Sequence, residues 1–86
     1  MTYEIIFSDQ ALRQLKKLEK TVQGRIIAAL ERIRIRPQAY VTKLVGDPGY
    51  KLQVGDYRII MDIDNNKLTI LVLKAGHRKN FYQKTI

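Results

Sequence analysis

The chain contains no cysteine, no tryptophan and a single histidine, and it has only half as many acidic as basic residues. Without cysteine there is neither a disulfide nor a thiol nucleophile. One histidine and no cluster of carboxylates leave no ligand set for a structural zinc, so neither metal nor cofactor is expected. No apolar run approaches the roughly 18 residues of a transmembrane helix. The start Met1-Thr2-Tyr3-Glu4 has neither the charged nor the apolar region of a signal peptide. A cytoplasmic protein with no membrane partner is therefore expected. There is no internal repeat, no low-complexity tract and no Pro/Gly/Ser linker, so residues 1–86 are read as one compact domain. A chain of this length has room for one modest core that buries somewhat over ~60 % of the surface exposed when unfolded.

Positive charge is plentiful. Sixteen Lys and Arg against eight Asp and Glu give a formal charge of +8, the footprint of a nucleic-acid or acidic-protein partner. From Asn65 to Ile86 the basic residues Lys67, Lys74, Arg78, Lys79 and Lys84 stand with no acid among them. Residues 10–40 are basic too, so two positive surfaces are expected.

Tyr3, Ile5 and Phe7 alternate with Thr2, Glu4 and Ile6, the period of a strand with one buried face. Ser8 or Asp9 is suited to cap a helix carrying Ala11, Leu12, Leu15 and Leu18. At 100° per residue, Arg13, Lys16, Lys17 and Lys20 form a stripe away from those leucines. Thr21 is the expected cap of a second helix through Val22, Ile26, Ala29, Leu30 and Ile33, which Pro37 must stop by about Arg36. Helices joined this tightly predict an antiparallel hairpin. The segment 37–49, with two prolines and two glycines, is expected to be mostly irregular. Three strands follow, divided by two-residue turns at Gly55-Asp56 and Asn65-Asn66. The prediction is an α+β domain in the order βααβββ, a four-stranded sheet with both helices on one face.

The turn at Gly55-Asp56 sets a register in which Val54 faces Tyr57, Gln53 faces Arg58 and Lys51 faces Ile60. Leu52, Val54, Tyr57, Ile59, Met61, Ile63, Leu68, Ile70 and Val72 then share the face that must lie on the helices, with Tyr3 and Phe7 also core. The opposite face is mixed: Lys51, Gln53, Arg58, Ile60, Asp62, Thr69, Leu71 and Leu73. Lys51 and Arg58 become diagonal neighbours ~7–8 Å apart at the backbone, able to converge on one phosphate. Two strand-borne cations, an arginine behind Gly76-His77 and a phenol at Tyr82 suit an anionic substrate that reacts at phosphorus, and RNA fits best.

Four stretches in order, Thr42-Lys43-Leu44, Tyr50-Lys51-Leu52, Gly55-Asp56-Tyr57-Arg58-Ile59 and Gly76-His77-Arg78-Lys79-Asn80-Phe81-Tyr82, resemble the RelE family of toxins, the RNase halves of toxin–antitoxin pairs in the RelE/ParE superfamily. The resemblance covers nearly the whole chain. It implies a microbial-RNase-like toxin fold and ribosome-dependent cleavage of messenger RNA in the decoding site. The ribose 2′-OH would attack the adjacent phosphorus without a metal, leaving a 2′,3′-cyclic phosphate and a free 5′-hydroxyl. It also implies roles: Lys51 at the reacting phosphate, Arg58 holding it, Arg78 at the leaving group, and Tyr82 stacking on a base or assisting proton transfer. Lys43, His77 and Lys79 would bind RNA, and the helix stripe Lys16, Lys17 and Lys20 would bind ribosomal RNA. The implied partners are the ribosome, messenger RNA and an acidic RelB-like antitoxin that covers the basic surface; DNA would be met only through the antitoxin complex.

Two positions depart from the pattern. Gln53 stands where RNase members carry a second lysine, and Val45 where some carry an arginine, which implies slower or more context-dependent cleavage. His77, the residue type whose charge changes nearest neutrality, is a candidate to replace a missing base. Two other readings stay open: a ParE-like inhibitor of DNA gyrase that does not cleave RNA, and a non-enzymatic RNA- or protein-binding module on the mixed sheet face.

Overall fold

A computed structural model describes residues 2–79. The elements are β1 (Glu4–Phe7), α1 (Asp9–Lys16), α2 (Lys20–Arg32), a 3-10 turn at Pro37–Ala39, β2 (Thr42–Lys43), β3 (Tyr50–Val54), β4 (Tyr57–Asp64) and β5 (Thr69–His77). The strands form one sheet in the order β1-β5-β4-β3-β2. The α+β class and the helix hairpin followed by a meander are as expected. The sheet has five strands rather than four, because Thr42 and Lys43 pair with Lys51 and Tyr50 at the edge. That pairing is closed by a loop in which Leu44 N donates to Gly49 O at 3.0 Å.

Each helix begins for an identifiable reason. Ser8 caps α1, its Oγ accepting from Ala11 N at 3.1 Å, and Asp9, Arg13 and Lys16 carry charges that suit the two helix ends. Thr21 does not cap α2. The cap position falls to Glu19, which makes no side-chain bond there, and the Gln23 amide instead closes the hairpin by donating to Leu18 O at 2.7 Å.

Both helices cover one face of the sheet. Ala11, Leu15, Val22, Ile26, Leu30 and Ile33 form a single core with Leu52, Ile59, Met61, Ile70, Val72 and Ala75. Transfer of such side chains from water stabilises by about 1.5–3 kcal/mol each. Tyr3, Ile5 and Phe7 pack on this core but are only partly buried, because β1 is an edge strand, parallel to β5 with Ile5 opposite Ile70 and Phe7 opposite Val72.

The β3–β4 register is the expected one: Val54 opposite Tyr57, Gln53 opposite Arg58, Lys51 opposite Ile60. Gly55 takes φ +60° in that turn, a value disfavoured for any residue with a Cβ. The β4–β5 connection differs from the two-residue turn expected at Asn65-Asn66. Asp64 pairs with Thr69, so residues 65–68 form the turn, and the Asp64 carboxylate accepts from Asn66 N (2.9 Å) and Lys67 N (3.0 Å). Leu68 is thereby held out of the strand at φ 53°, a left-handed conformation that costs a residue with a Cβ roughly 1–2 kcal/mol.

The largest departure from simple alternation lies in β5. Ile60 pairs with Lys74 but Met61 pairs with Val72, so Leu73 is an inserted residue, a β-bulge. Past it the faces exchange: Ala75, opposite Ile59, is in the core, and Lys74 leaves it. The sheet edge that β1 no longer covers is satisfied by α1 and its cap. Ser8 Oγ donates to Leu73 O at 3.1 Å, and Ala75 N donates to Gln14 Oε1 at 2.8 Å.

Candidate functional site

The face of the sheet away from the helices carries the predicted cations. Lys51 and Arg58 are both half-buried there, diagonal across β3 and β4 as the register requires, and the Nε of Arg58 is shielded from solvent. Gln53, directly opposite Arg58, is turned to the chain, its amide donating to Gly55 O at 2.6 Å. It contributes a fixed dipole where a lysine would contribute a charge.

Lys74 was not singled out from the sequence, and the bulge is what brings it in. The rows across this face read Thr42–Lys51–Ile60–Lys74 and Gln53–Arg58–Gly76. Arg58 therefore has a lysine on each diagonal, Lys51 on β3 and Lys74 on β5, and neither row contains an acid. Asp62 stands in the next row of this face, diagonal to Lys51 and opposite Leu71, with its carboxylate accepting from Ile63 N at 3.1 Å. A signal was present in the sequence. In strict alternation from Val72, Lys74 would fall in the core and Ala75 outside it, an arrangement that only an inserted residue corrects.

Arg78 is exposed, and its backbone N donates to Asp56 O at 2.9 Å. This bond ties it to the β3–β4 turn, at the same end of the sheet as Arg58. Lys79 is exposed beside it. Tyr82 lies outside the described residues.

Two of the expected RNA-binding residues sit on the other side of the sheet. His77 pairs with Tyr57, which packs on the core. The two rings meet edge to face at 5.3 Å and 75°, and His77 Nδ1 accepts from Lys79 N at 3.2 Å. Lys43 pairs with Tyr50, itself opposite the buried Met61, and holds its Nζ 5.0 Å from the Tyr50 ring centroid. Lys16, Lys17 and Lys20 are exposed in the helix layer. They span the end of α1, its C-cap and the start of α2, so the expected stripe is broken over a helix junction.

A groove of about 470 Å³ runs between α2 and the β3 end of the sheet, with Ala28, Ile33 and Leu52 among its apolar walls and Arg25, Arg32 and Tyr40 among its polar ones. Arg25 reaches over the turn: a Cβ on Gly55 would lie 3.0 Å from its Nη2. This second glycine constraint was not visible in the sequence.

Comparisons with known proteins agree with this architecture. A family model described as the ParE toxin of the type II toxin–antitoxin system, parDE, matches residues 5–82. The mRNA interferase toxin RelE of Escherichia coli K12 is 28% identical over 82 residues, which is 92% of this chain and 86% of that protein. Among solved structures, the RelBE2 toxin–antitoxin complex of Mycobacterium tuberculosis contains a chain with TM-score 0.84 at 23% identity, covering 91% of this chain and all of that one (100%). The intact E. coli RelBE toxin–antitoxin complex contains one with TM-score 0.77 at 28% identity, covering 87% and 95%.

Proposed function

For a chain that belongs to the ParE toxin family of type II toxin–antitoxin systems, we propose the activity carried in the names of its RelE relatives, that of an mRNA interferase, with the ribosomal decoding site as the place where it cuts message. The observation that carries this reading is the pair of acid-free rows on the open sheet face, with Lys51, Arg58 and Lys74 on them and Arg78 tied to the turn at the same end. A cation cluster of this kind binds a phosphate and opposes the charge that develops as the phosphorus becomes five-coordinate.

In the proposed reaction the 2′-oxygen of the target ribose forms a bond to the adjacent phosphorus while the bond from phosphorus to the 5′-oxygen breaks. The products are a 2′,3′-cyclic phosphate and a 5′-hydroxyl. The proton leaving the 2′-OH goes to a base and another is delivered to the 5′-oxygen. Lys51 stands at the reacting phosphate. Arg58 grips the non-bridging oxygens, Arg78 serves the leaving oxygen, and Tyr82 stacks or relays. No step calls for a metal. His77, facing Tyr57 across the sheet from this cluster, is better suited to fixing the end of β5 than to taking the 2′-OH proton.

Lys16, Lys17, Lys20 and Lys79 remain ribosome- or RNA-docking residues in this reading, and Lys43 a peripheral one. The ribosome and its message are the working partners, which places the protein in the cytoplasm. An acidic RelB-like antitoxin is the neutralising partner, as in the RelB-bound toxins of E. coli and M. tuberculosis. Incubation of the purified protein with ribosomes holding a defined message tests the reading. Cuts within the decoding site, bearing cyclic-phosphate ends, are expected, and intact message at saturating protein would contradict it.

A second reading is favoured by the family model itself, whose description names ParE, and by Gln53 in place of a lysine. In it the protein inhibits DNA gyrase by binding. A supercoiling assay on the same preparation separates the two, because inhibition without RNA cleavage selects the second.

A further inference from the structure

We propose that Lys74 is a further phosphate-binding residue of the RNA site, flanking Arg58 on the side opposite Lys51. The inference rests on the open face being an RNA site, and deepens it by one residue.

The argument begins with the bulge. Insertion of Leu73 turns Lys74 out of the core phase and sets it opposite Ile60, in the same cross-strand row as Lys51. Its position is fixed from both sides. Ser8 Oγ holds Leu73 O, Gln14 Oε1 holds Ala75 N, and Ala75 is 3% exposed in the core. The backbone that carries Lys74 is therefore as well anchored as a strand interior, although the ladder is interrupted there.

Lys74 is half-buried, next to a half-buried Ile60. Its methylene stem can lie on that apolar surface while the ammonium stays at the solvent boundary. Two strand spacings separate Lys74 from Lys51, roughly 10 Å, which the two side chains can close over successive phosphates of one strand. Diagonal to both, Arg58 completes a triangle of three cations. Neither row holds an acidic side chain, the carboxylate of Asp62 in the next row of this face accepting from Ile63 N, and like charges on neighbouring strands destabilise a sheet. An anionic chain laid across the triangle reduces that repulsion.

A lysine that served only the fold would lower stability when neutralised, whereas this one is expected to leave it unchanged. The test uses the full-length protein and an RNA oligonucleotide fully methylated at its 2′-oxygens, which binds but cannot be cut, followed by fluorescence anisotropy over a range of salt. Lys74→Met keeps the stem and removes the charge. Its slope of log affinity against log salt should become shallower by about 0.7, the contribution of one phosphate contact on a single strand. Lys74→Arg should restore it. Lys67→Met, on the β4–β5 turn at the far end of the sheet, should match the wild type, and the melting temperature of Lys74→Met should not fall.

A slope for Lys74→Met equal to the wild-type value overturns the proposal, as does a wild type that shows no salt-dependent binding of this RNA. The wild type is assayed in parallel on ribosome-bound message. Cleavage there with no slope change in Lys74→Met leaves the interferase reading standing and removes Lys74. A slope change without cleavage keeps Lys74 as an RNA ligand and removes the interferase reading.

Discussion

The two faces of the sheet are built from the same strands and obey different rules. On β4 the change happens in one residue: Ile59 is fully buried against the helices, while Arg58 beside it looks out on the open face between two lysines. The centre of the helix-side face is apolar, with Leu52, Ile59, Met61, Ile70, Val72 and Ala75 all nearly inaccessible to water. The open face mixes Ile60, Leu71 and Leu73 with Lys51, Arg58 and Lys74, and none of these is fully buried. The difference teaches that the core fixes where the cations stand, while the cations contribute little to holding the core together. Among the described residues no charged side chain is in the core, and the ion pair between Arg34 and Glu31 lies away from the sheet's open face.

This separation can be broken at several strengths. The strongest test on the open side is Arg78→Ala, expected to slow single-turnover cleavage at saturating protein by about 10²–10³-fold, the usual consequence of removing one donor aimed at transition-state charge. Thermal unfolding should barely move, because Arg78 is exposed and its structural bond to Asp56 is made by the backbone.

Gln14→Ala sharpens the comparison from the other side. It leaves Ala75 N without its acceptor at the bulge and should cost about 1–3 kcal/mol of stability in urea unfolding. Because Ala75 adjoins Lys74, a smaller loss of RNA affinity should accompany it. Loss of affinity with no loss of stability would mean that Gln14 touches RNA and does not support the strand.

Lys16→Ala and Lys17→Ala should have the smallest effects. Each is expected to weaken ribosome association and to flatten its salt dependence by roughly one phosphate contact, with the rate at saturation unchanged. A fall in the saturated rate comparable to that of Arg78→Ala would merge the helix layer with the site and end the distinction.

How much of this was legible depends on the residues concerned. The β3–β4 pairing followed from one glycine: Gly55 allows a two-residue turn, and the turn dictates that Arg58 and Lys51 share a face. The helix hairpin followed from apolar spacing and was right in type, although its second cap was misplaced because Glu19 rather than Thr21 begins α2. Three features were hidden from period-counting. β2 has only two residues, too few to display a period. The β4–β5 turn is governed by the Asp64 carboxylate, which draws two further residues into it. The bulge in β5 inverts the pattern after Leu73, and with it went Lys74, while His77 came to face Tyr57 rather than the cation cluster. Local rules located the residues, and a single insertion decided which side of the sheet Lys74 and His77 serve.

The most direct measurement compares two adjacent residues of β4. Ile59→Ala and Arg58→Ala would each be carried through urea unfolding and single-turnover cleavage of ribosome-bound message at saturating protein. The account predicts that Ile59→Ala loses about 2–5 kcal/mol of stability, while its folded fraction cleaves at the wild-type rate. It predicts that Arg58→Ala keeps its stability to within about 1 kcal/mol and loses most of its cleavage rate. An Arg58→Ala protein that cleaves normally, or that unfolds as readily as Ile59→Ala, would contradict the division of the sheet into a face that folds and a face that reacts.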